Sequence, residues 1–189
     1  MKNLEKAIRV HQVFELYERF GSADYIGEPV SQLEHMAQSA QLAEKEGYDS
    51  AIILAAFFHD IGHLLAQDTE TESMGGYGVK SHEQIGADFL RENGFPERVA
   101  KLVENHVQAK RYLTFRYPDY LAKLSEASLK TLEYQGGAMN AEEAEGFEKD
   151  PLFEVSLKMR SWDEAAKEVQ VPIPDLNKYK EMAKEVLDS

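Results

Sequence analysis

The stretch AAFFHDIGHLL, residues 55–65, places a His-Asp doublet directly after an apolar run that begins at Ala51. This run predicts a helix over about residues 49–65 that lies at the centre of the core. A buried carboxylate is costly unless it is paired with a cation or bound to a metal. The stretch therefore predicts that Asp60 has a positively charged partner supplied or held by the rest of the chain.

Helical patterns continue along almost the whole chain, and strand patterns are nearly absent. Ser31 and Glu34 form a capping-box signature, and Gly21 and Gly47 are stop signals, whereas residues 67–80 are too polar and glycine-rich for a helix. Ser81 is expected to cap the helix that follows this loop. The predicted helices cover residues 4–20, 31–46, 49–65, 81–93, 96–112, 118–134, 141–149, 152–168 and 175–187. The fold class is therefore expected to be all-α, with residues 1–189 forming one domain.

Composition limits the classes of function and of site. The formal net charge of −13 does not favour a nucleic-acid partner, because nucleic-acid binding depends on Lys and Arg near phosphates. The absence of cysteine excludes disulfides, thiolate zinc sites and iron–sulfur clusters. No window resembles a signal peptide or the roughly 20 apolar residues of a membrane span. We expect a cytoplasmic protein with no membrane partner.

Four of the histidines lie on four successive predicted helices. His106 continues the apolar face of Leu102, and His82 shares a face with Ile85, so both imidazoles are expected to point inward. Imidazole and carboxylate together are the ligands of first-row metals such as Fe, Mn, Co, Ni or Zn. The sequence therefore predicts a metal site built from His35, His59, His82 and His106 with the doublet carboxylate.

The doublet further predicts a pair of metal ions. Neighbouring residues on a helix project about 100° apart, so His59 binds one ion while the two oxygens of Asp60 reach that ion and a second one. Such bridged ions lie roughly 3.5–4 Å apart. One further acidic ligand is expected from a later helix, and Asp163 is the best candidate because it lies one turn from Arg160 and beside Trp162.

The order His, His-Asp, His, His, Asp over residues 35–163 resembles the HD-domain superfamily of helical metalloproteins. Most members are phosphohydrolases, so metal-dependent hydrolysis is one hypothesis. Finer motifs resemble a different branch, the PhnZ-like mixed-valent di-iron oxygenases. These motifs are DYIGE (24–28), QLEH (32–35), AAFFHDIGH (55–63), MGGYGVKSHEQIGADFL (74–90), HVQAKRYL (106–113) and KTLEYQGG (130–137). The metal and substrate core of the domain is then expected within about residues 24–163.

The resemblance implies a ligand set for two iron ions, an Fe(II)/Fe(III) pair. It implies that His35, His59, Asp60 and Asp163 hold one iron. It further implies that His82 and His106 hold the other, with Asp60 bridging. Tyr25 is implied as a lid residue that caps the second iron until substrate displaces it.

The resemblance also implies a phosphonate pocket. Glu28 is implied to meet the cationic end of the substrate. The outer oxygens of the phosphonate are implied to meet a set of cationic and polar side chains, with His63 on the same helix face as His59. This set is His63, Lys110, Ser128, Thr131, Gln135 and Arg160.

The implied reaction is the O2-dependent cleavage of a C–P bond. In the family, 2-amino-1-hydroxyethylphosphonate is converted to glycine and phosphate, and the trimethylammonio analogue is an alternative substrate that the sequence does not distinguish. A metal-dependent phosphohydrolase and a non-catalytic ligand-binding HD domain remain as other hypotheses. The expected partners are therefore a small phosphonate and O2.

Overall fold

A computed structural model describes residues 2–25, 27–68 and 72–188, and its all-α architecture confirms the predicted fold class. Over the described residues, extended pairing is limited to isolated bridges that join Asp24 to Ser31 and Ser73 to Val79. The helices are α1 (Lys2–Phe20), α2 (Gln32–Lys45), α3 (Ser50–Phe58), α4 (Ile61–Leu65), α5 (His82–Glu92), α6 (Glu97–Arg116), α7 (Pro118–Leu121), α8 (Glu126–Tyr134), α9 (Ala141–Phe147), α10 (Phe153–Ala165) and α11 (Leu176–Val186).

Helix α3 lies at the centre of the core, as its apolar sequence predicts. All of its residues from Ile52 to Phe58 are buried, and it packs against α2, α6, α10 and α11. The ring of Phe57 stacks between Tyr17 of α1 and Tyr179 of α11, with centroid distances of 4.6 and 4.2 Å. This packing fixes the C-terminal end of α3, and therefore the position of the doublet that follows it.

The predicted continuous helix over residues 49–65 is wrong at the doublet itself. His59 is the C-terminal cap of α3, and Asp60 has φ −105° and ψ 13°, outside the helical region. The apolar pattern resumes with Ile61, so periodicity alone did not reveal the break. Asp60 therefore projects from a turn between two helices, and not from a helix face.

Other helix boundaries differ from the sequence prediction. Helix α6 runs on to Arg116, and α10 ends at Ala165. The segment predicted as one helix over 118–134 contains two, because Ser125 starts α8 by accepting a hydrogen bond from the backbone N–H of Ser128. Ser81 precedes α5 as expected, but it has φ 60° and its side chain makes no capping hydrogen bond.

None of the helices among the described residues has the length and apolar character that crossing a membrane requires.

Candidate metal centre

Asp60 lies between two pairs of histidines and presents one carboxylate oxygen to each pair. Its Oδ2 is 3.6 Å from His35 Nε2 and 3.4 Å from His59 Nε2. Its Oδ1 is 3.3 Å from His82 Nε2 and 3.5 Å from His106 Nε2. All five residues are buried. The structure thus places one carboxylate where it can bridge two adjacent ion positions.

Two glycines allow the helices that carry these residues to lie close together. A Cβ atom on Gly62 would lie 2.0 Å from the carbonyl oxygen of His82, and one on Gly86 would lie 2.9 Å from Ile61 Cγ2. Any larger residue at these positions would separate α4 from α5. The turn at Asp60 and the start of α5 at His82 are therefore held together by backbone contact.

Each of the four imidazoles is oriented by a backbone carbonyl that its Nδ1 reaches. The carbonyl partners are Ala166 for His35 (2.9 Å), Ala56 for His59 (2.8 Å), Val79 for His82 (3.1 Å) and Val103 for His106 (2.6 Å). Because a carbonyl only accepts, Nδ1 carries a proton in each ring, which leaves Nε2 as the atom that can bind a metal ion or, without metal, a second proton.

The Nε2 atoms within each pair face one another at short range. The separation is 3.0 Å between His35 and His59, and 3.1 Å between His82 and His106. Facing lone pairs beside a buried carboxylate repel one another unless a cation lies among them. The donor set of neutral imidazoles and carboxylates suits a borderline first-row metal ion. The residues present therefore fit a metal centre.

Asp163 adds a carboxylate to the first pair only. Its Oδ1 is 3.4 Å from His35 Nε2 and 3.9 Å from His59 Nε2, and ligand atoms of these three residues lie within 4.8 Å of one another. Its Oδ2 accepts a hydrogen bond from Nη1 of Arg160. Asp163 is therefore oriented by an arginine on one side and faces the histidines with its other oxygen.

The electrostatics of the centre favour bound positive charge. Burial lowers the pKa of His59, but the carboxylates of Asp60 and Asp163 outweigh burial and raise this pKa to about 9. Burial opposes ionisation of Asp60, yet neighbouring histidines hold the pKa of its carboxyl well below the usual range. A proton is thus attracted to the place where the ligand atoms converge, as a metal cation would be.

His63 lies beside the second pair but differs from the other four histidines in its hydrogen bonding. Its ring stacks on His82 at 4.0 Å, and a ligand atom each from Asp60, His63 and His82 lie within 4.8 Å. However, its Nδ1 accepts a hydrogen bond from the backbone N–H of Val79 at 3.2 Å. Burial lowers the pKa of His63 to about 3, so the ring is neutral and its proton is on Nε2. Its Nε2 is therefore a hydrogen-bond donor, not a free ligand.

A cavity of about 110 Å³ adjoins the centre and brings together the side chains predicted to bind substrate. Asp60, His82, His106 and Asp163 line it on the side of the centre. The predicted pocket residues that also line it are Tyr25, Glu28, His63, Lys110, Ser128, Thr131, Gln135 and Arg160.

The cavity contains two buried cations. Lys110 donates to Thr131 Oγ1 at 2.9 Å. Burial and the nearby Arg160 lower the pKa of Lys110 to about 7. Arg160 is held by Asp163 and, through its Nε, by Tyr120 and Glu164 at 2.9 and 3.0 Å. Lys110 therefore has no carboxylate within ion-pair distance among the described residues, whereas Arg160 is anchored on three sides.

The loop before α2 covers one side of the cavity. The Tyr25 ring stacks on His35 with a centroid distance of 3.9 Å, and burial together with Asp60 raises the pKa of its phenol well above 10. Glu28 forms an ion pair with Lys167 at 2.5 Å. The loop thus contacts both the centre and the segment that follows α10.

Sequence reasoning missed three residues of the cavity network, namely Tyr120, Glu164 and Lys167. Tyr120 and Glu164 orient Arg160 from α7 and α10, and Lys167 pairs with Glu28 across 139 positions of sequence. No periodicity or motif distinguishes them from surface residues. The turn from Arg160 to Glu164, an i,i+4 spacing, was the one available signal.

Comparison with known proteins gives one family and several similar chains. The family model for the HD domain matches residues 32–144. Uncharacterized protein L432 of Acanthamoeba polyphaga mimivirus is 48% identical over 186 residues, which are 98% of this chain and 85% of that protein. A 1-hydroxy-2-(trimethylamino)ethylphosphonate dioxygenase (glycine-betaine-forming) of Leisingera caerulea is 40% identical, covering 92% of this chain and 87% of that protein. A hydroxymethylphosphonate dioxygenase of Gimesia maris is 37% identical, covering 90% and 84%.

Proposed function

Because this chain belongs to the HD domain family, we propose that it uses the centre around Asp60 to cleave the C–P bond of a small 1-hydroxyphosphonate with O2. Two of the similar proteins carry the names of dioxygenases for hydroxyphosphonates, which supports an oxygenase over the hydrolases of the same family. The specific reaction that we propose is PhnZ-like, the conversion of 2-amino-1-hydroxyethylphosphonate to glycine and phosphate. The trimethylammonio analogue is the alternative substrate.

One observation carries this proposal, the placement of a two-sided carboxylate next to a cavity with buried cations. Asp60 faces a histidine pair with each oxygen, and the same cavity contains Lys110 and Arg160. Two adjacent ion positions beside an anion-binding cavity suit metal-dependent chemistry on a phosphonate, and the names of the similar dioxygenases favour oxidative cleavage over hydrolysis. A purely structural role would explain neither the facing imidazole lone pairs nor the buried lysine.

The ligands that we propose form two sets that share Asp60. His35, His59, Asp60 and Asp163 would hold one iron, and His82, His106 and Asp60 the other. When bound, an Fe(II)/Fe(III) pair would supply the activation of O2 and the redox change that hydrogen removal from carbon and C–P cleavage need. The protein supplies the orientation of each ligand through the backbone carbonyls that hold the four Nδ1 atoms.

The phosphonate would be bound by the cations and hydroxyls of the cavity. Thr131 accepts one N–H of the Lys110 ammonium, which leaves two others for phosphonate oxygens. Arg160 is already anchored, so its remaining N–H groups are directed without loss of side-chain freedom on binding. Ser128 and the amide of Gln135 would complete the set. The buried Gln135 Oε1 has no hydrogen-bond partner among the described residues and would accept from the substrate hydroxyl.

Three side chains would act around the reacting carbon. The Nε2–H of His63 would donate to an oxygen of the substrate. Tyr25 would ligate the second iron before substrate binds, and only a metal would deprotonate its phenol, since its pKa is raised in the protein without metal. The carboxylate of Glu28 would meet a cationic end of the substrate.

The overall reaction balances with a single O2 for each substrate molecule. The hydroxyl-bearing carbon loses its C–H and C–P bonds and becomes a carboxylate, while phosphorus leaves as inorganic phosphate. Oxygen from O2 enters the carboxylate, and O2 is the electron acceptor. No other oxidant or reductant is consumed.

Incubation of the iron-loaded protein with 2-amino-1-hydroxyethylphosphonate tests this function. We expect phosphate and glycine in air, one O2 consumed per phosphate, and label from ¹⁸O2 in the glycine carboxylate. Anaerobic samples should release no phosphate. The Asp60→Ala variant is the negative control.

Each other outcome contradicts the proposal in a recognisable way. Release of phosphate from phosphate esters in anaerobic samples, together with no ¹⁸O in the organic product of aerobic samples, would identify a phosphohydrolase. Tight binding of the phosphonate without turnover in air would identify a ligand-binding HD domain.

A further inference from the structure

We infer that Lys167 is a specificity-determining residue, because its ammonium occupies the Glu28 carboxylate and competes there with any cationic end of a substrate. The inference rests on the proposed function and concerns how the site discriminates between hydroxyphosphonates with cationic and with uncharged ends. It depends on three observations about the ion pair, which are its location, its partial burial and its exclusivity.

The pair lies on the cavity itself. Glu28 and Lys167 both line the cavity that contains the two buried cations, and they come from segments 139 residues apart. Gly27, next to Glu28, lies against Ala127 of α8, so a Cβ there would be 3.2 Å from the Ala127 side chain. The loop is therefore held by Ala127 on one side and by Lys167 on the other, and Lys167 already compensates the charge of Glu28 where it lines the cavity.

The pair is also partly shielded from water. The side chains of Glu28 and Lys167 are only 13% and 21% exposed, and their charged atoms are 2.5 Å apart. Charge-assisted hydrogen bonds of this kind are stronger than the ion pairs of a fully exposed surface. A substrate ammonium that approaches Glu28 meets a carboxylate whose charge Lys167 already compensates, so it gains less binding free energy there than at a carboxylate without a partner.

Among the described residues, only Lys167 compensates the negative charge of Glu28. Among the described residues, Lys167 is the one cation within ion-pair distance of Glu28, and Lys167 pairs with no other carboxylate. In the free protein the two charges therefore cancel at this end of the cavity. A hydroxyphosphonate with an uncharged end, such as hydroxymethylphosphonate, has no competitor to displace.

Two consequences follow for binding. The wild-type protein should discriminate weakly between hydroxyphosphonates with cationic and with uncharged ends. Removing Lys167 should release the Glu28 charge, which strengthens binding of cationic substrates and slightly weakens binding of the others, because all of them are anions.

Anaerobic titration calorimetry of the iron-loaded protein tests the inference without turnover. The probes are 2-amino-1-hydroxyethylphosphonate and hydroxymethylphosphonate, and the variants are Lys167→Met and Lys167→Gln. We expect the ratio of their Kd values to shift by roughly tenfold toward the cationic probe in both variants. The double variant Glu28→Gln/Lys167→Met should lose this shift.

Lys180→Met provides a matched control. Lys180 pairs with Glu18 at 2.6 Å, its side chain is 23% exposed, and neither residue lines the cavity. This variant should leave the Kd ratio unchanged.

The outcomes separate this inference from the proposed function. If the Lys167 variants leave the ratio within about twofold of wild type, or the shift persists without Glu28, the inference is wrong while the function stands. If the wild-type protein binds neither phosphonate, both are overturned.

Discussion

Replacing Lys110 by methionine isolates the contribution of one buried cation to phosphonate binding. Lys110 lies on α6 one turn after His106, is 5% exposed, and donates a single hydrogen bond, to Thr131. Methionine keeps the length of the side chain and removes only the ammonium. Arg160 would be a poorer choice, since its removal would also leave the buried Asp163 without its partner.

The expected loss follows from the hydrogen bonds that the ammonium offers. One charge-assisted bond contributes about 1.5–3 kcal/mol, or roughly 10- to 150-fold in Kd. The ammonium has two further N–H groups that would be free for the phosphonate, so the loss should fall in the upper part of this range. Because Lys110 is not a metal ligand in the proposed centre, the metal content should stay unchanged.

The same substitution should not weaken the fold. The pKa of Lys110 is about 7 in the folded metal-free protein and 10.5 in an ordinary lysine. Between these values the unfolded chain binds more protons, so wild-type stability rises with pH there. Lys110→Met lacks this dependence. In urea unfolding, its free energy of unfolding should exceed that of wild type most below pH 7, by on the order of several kcal/mol. The difference should disappear above pH 10.5.

Calorimetric Kd values for the phosphonate, metal analysis and urea unfolding measure the three effects. Lys101→Met is the matched control, because Lys101 lies on the same helix and pairs with Glu104 away from the cavity. An unchanged Kd in Lys110→Met, with the metals retained, would refute the assignment of the phosphonate to this end of the cavity.

Three further substitutions test the centre and its surroundings. Asp60→Ala removes the oxygens that face both histidine pairs, so metal analysis should show loss of two-ion loading, and retention of two tightly held ions would contradict the bridge. Tyr25→Phe should abolish any tyrosinate-to-iron band in the visible spectrum while both metals stay bound, and a persisting band would reject the ligand role. Tyr120→Phe removes one hydrogen-bond partner of Arg160, so KM for the phosphonate should rise by roughly 2- to 12-fold with kcat little changed. An unaltered KM would show that Tyr120 does not position the guanidinium.

The sequence by itself predicts the elements that depend on local patterns. The apolar run before His59 predicts a central buried helix, and the capping box at Ser31 and Glu34 is present in the structure. The order of histidines and acids selects the side chains that the fold brings together around Asp60. These predictions succeed because helix periodicity and capping depend on residues within one or two turns of one another.

Only the tertiary structure decides how those side chains meet. Beside the break at Asp60, Gly62 lies close to the carbonyl of His82, a contact between helices that no local pattern encodes. The proton of His63 is placed by the backbone of Val79, and Lys167 reaches Glu28 from the far end of the chain. Such contacts arise from packing between elements distant in sequence. They determine which oxygen faces which histidine pair and which charges remain available to a substrate.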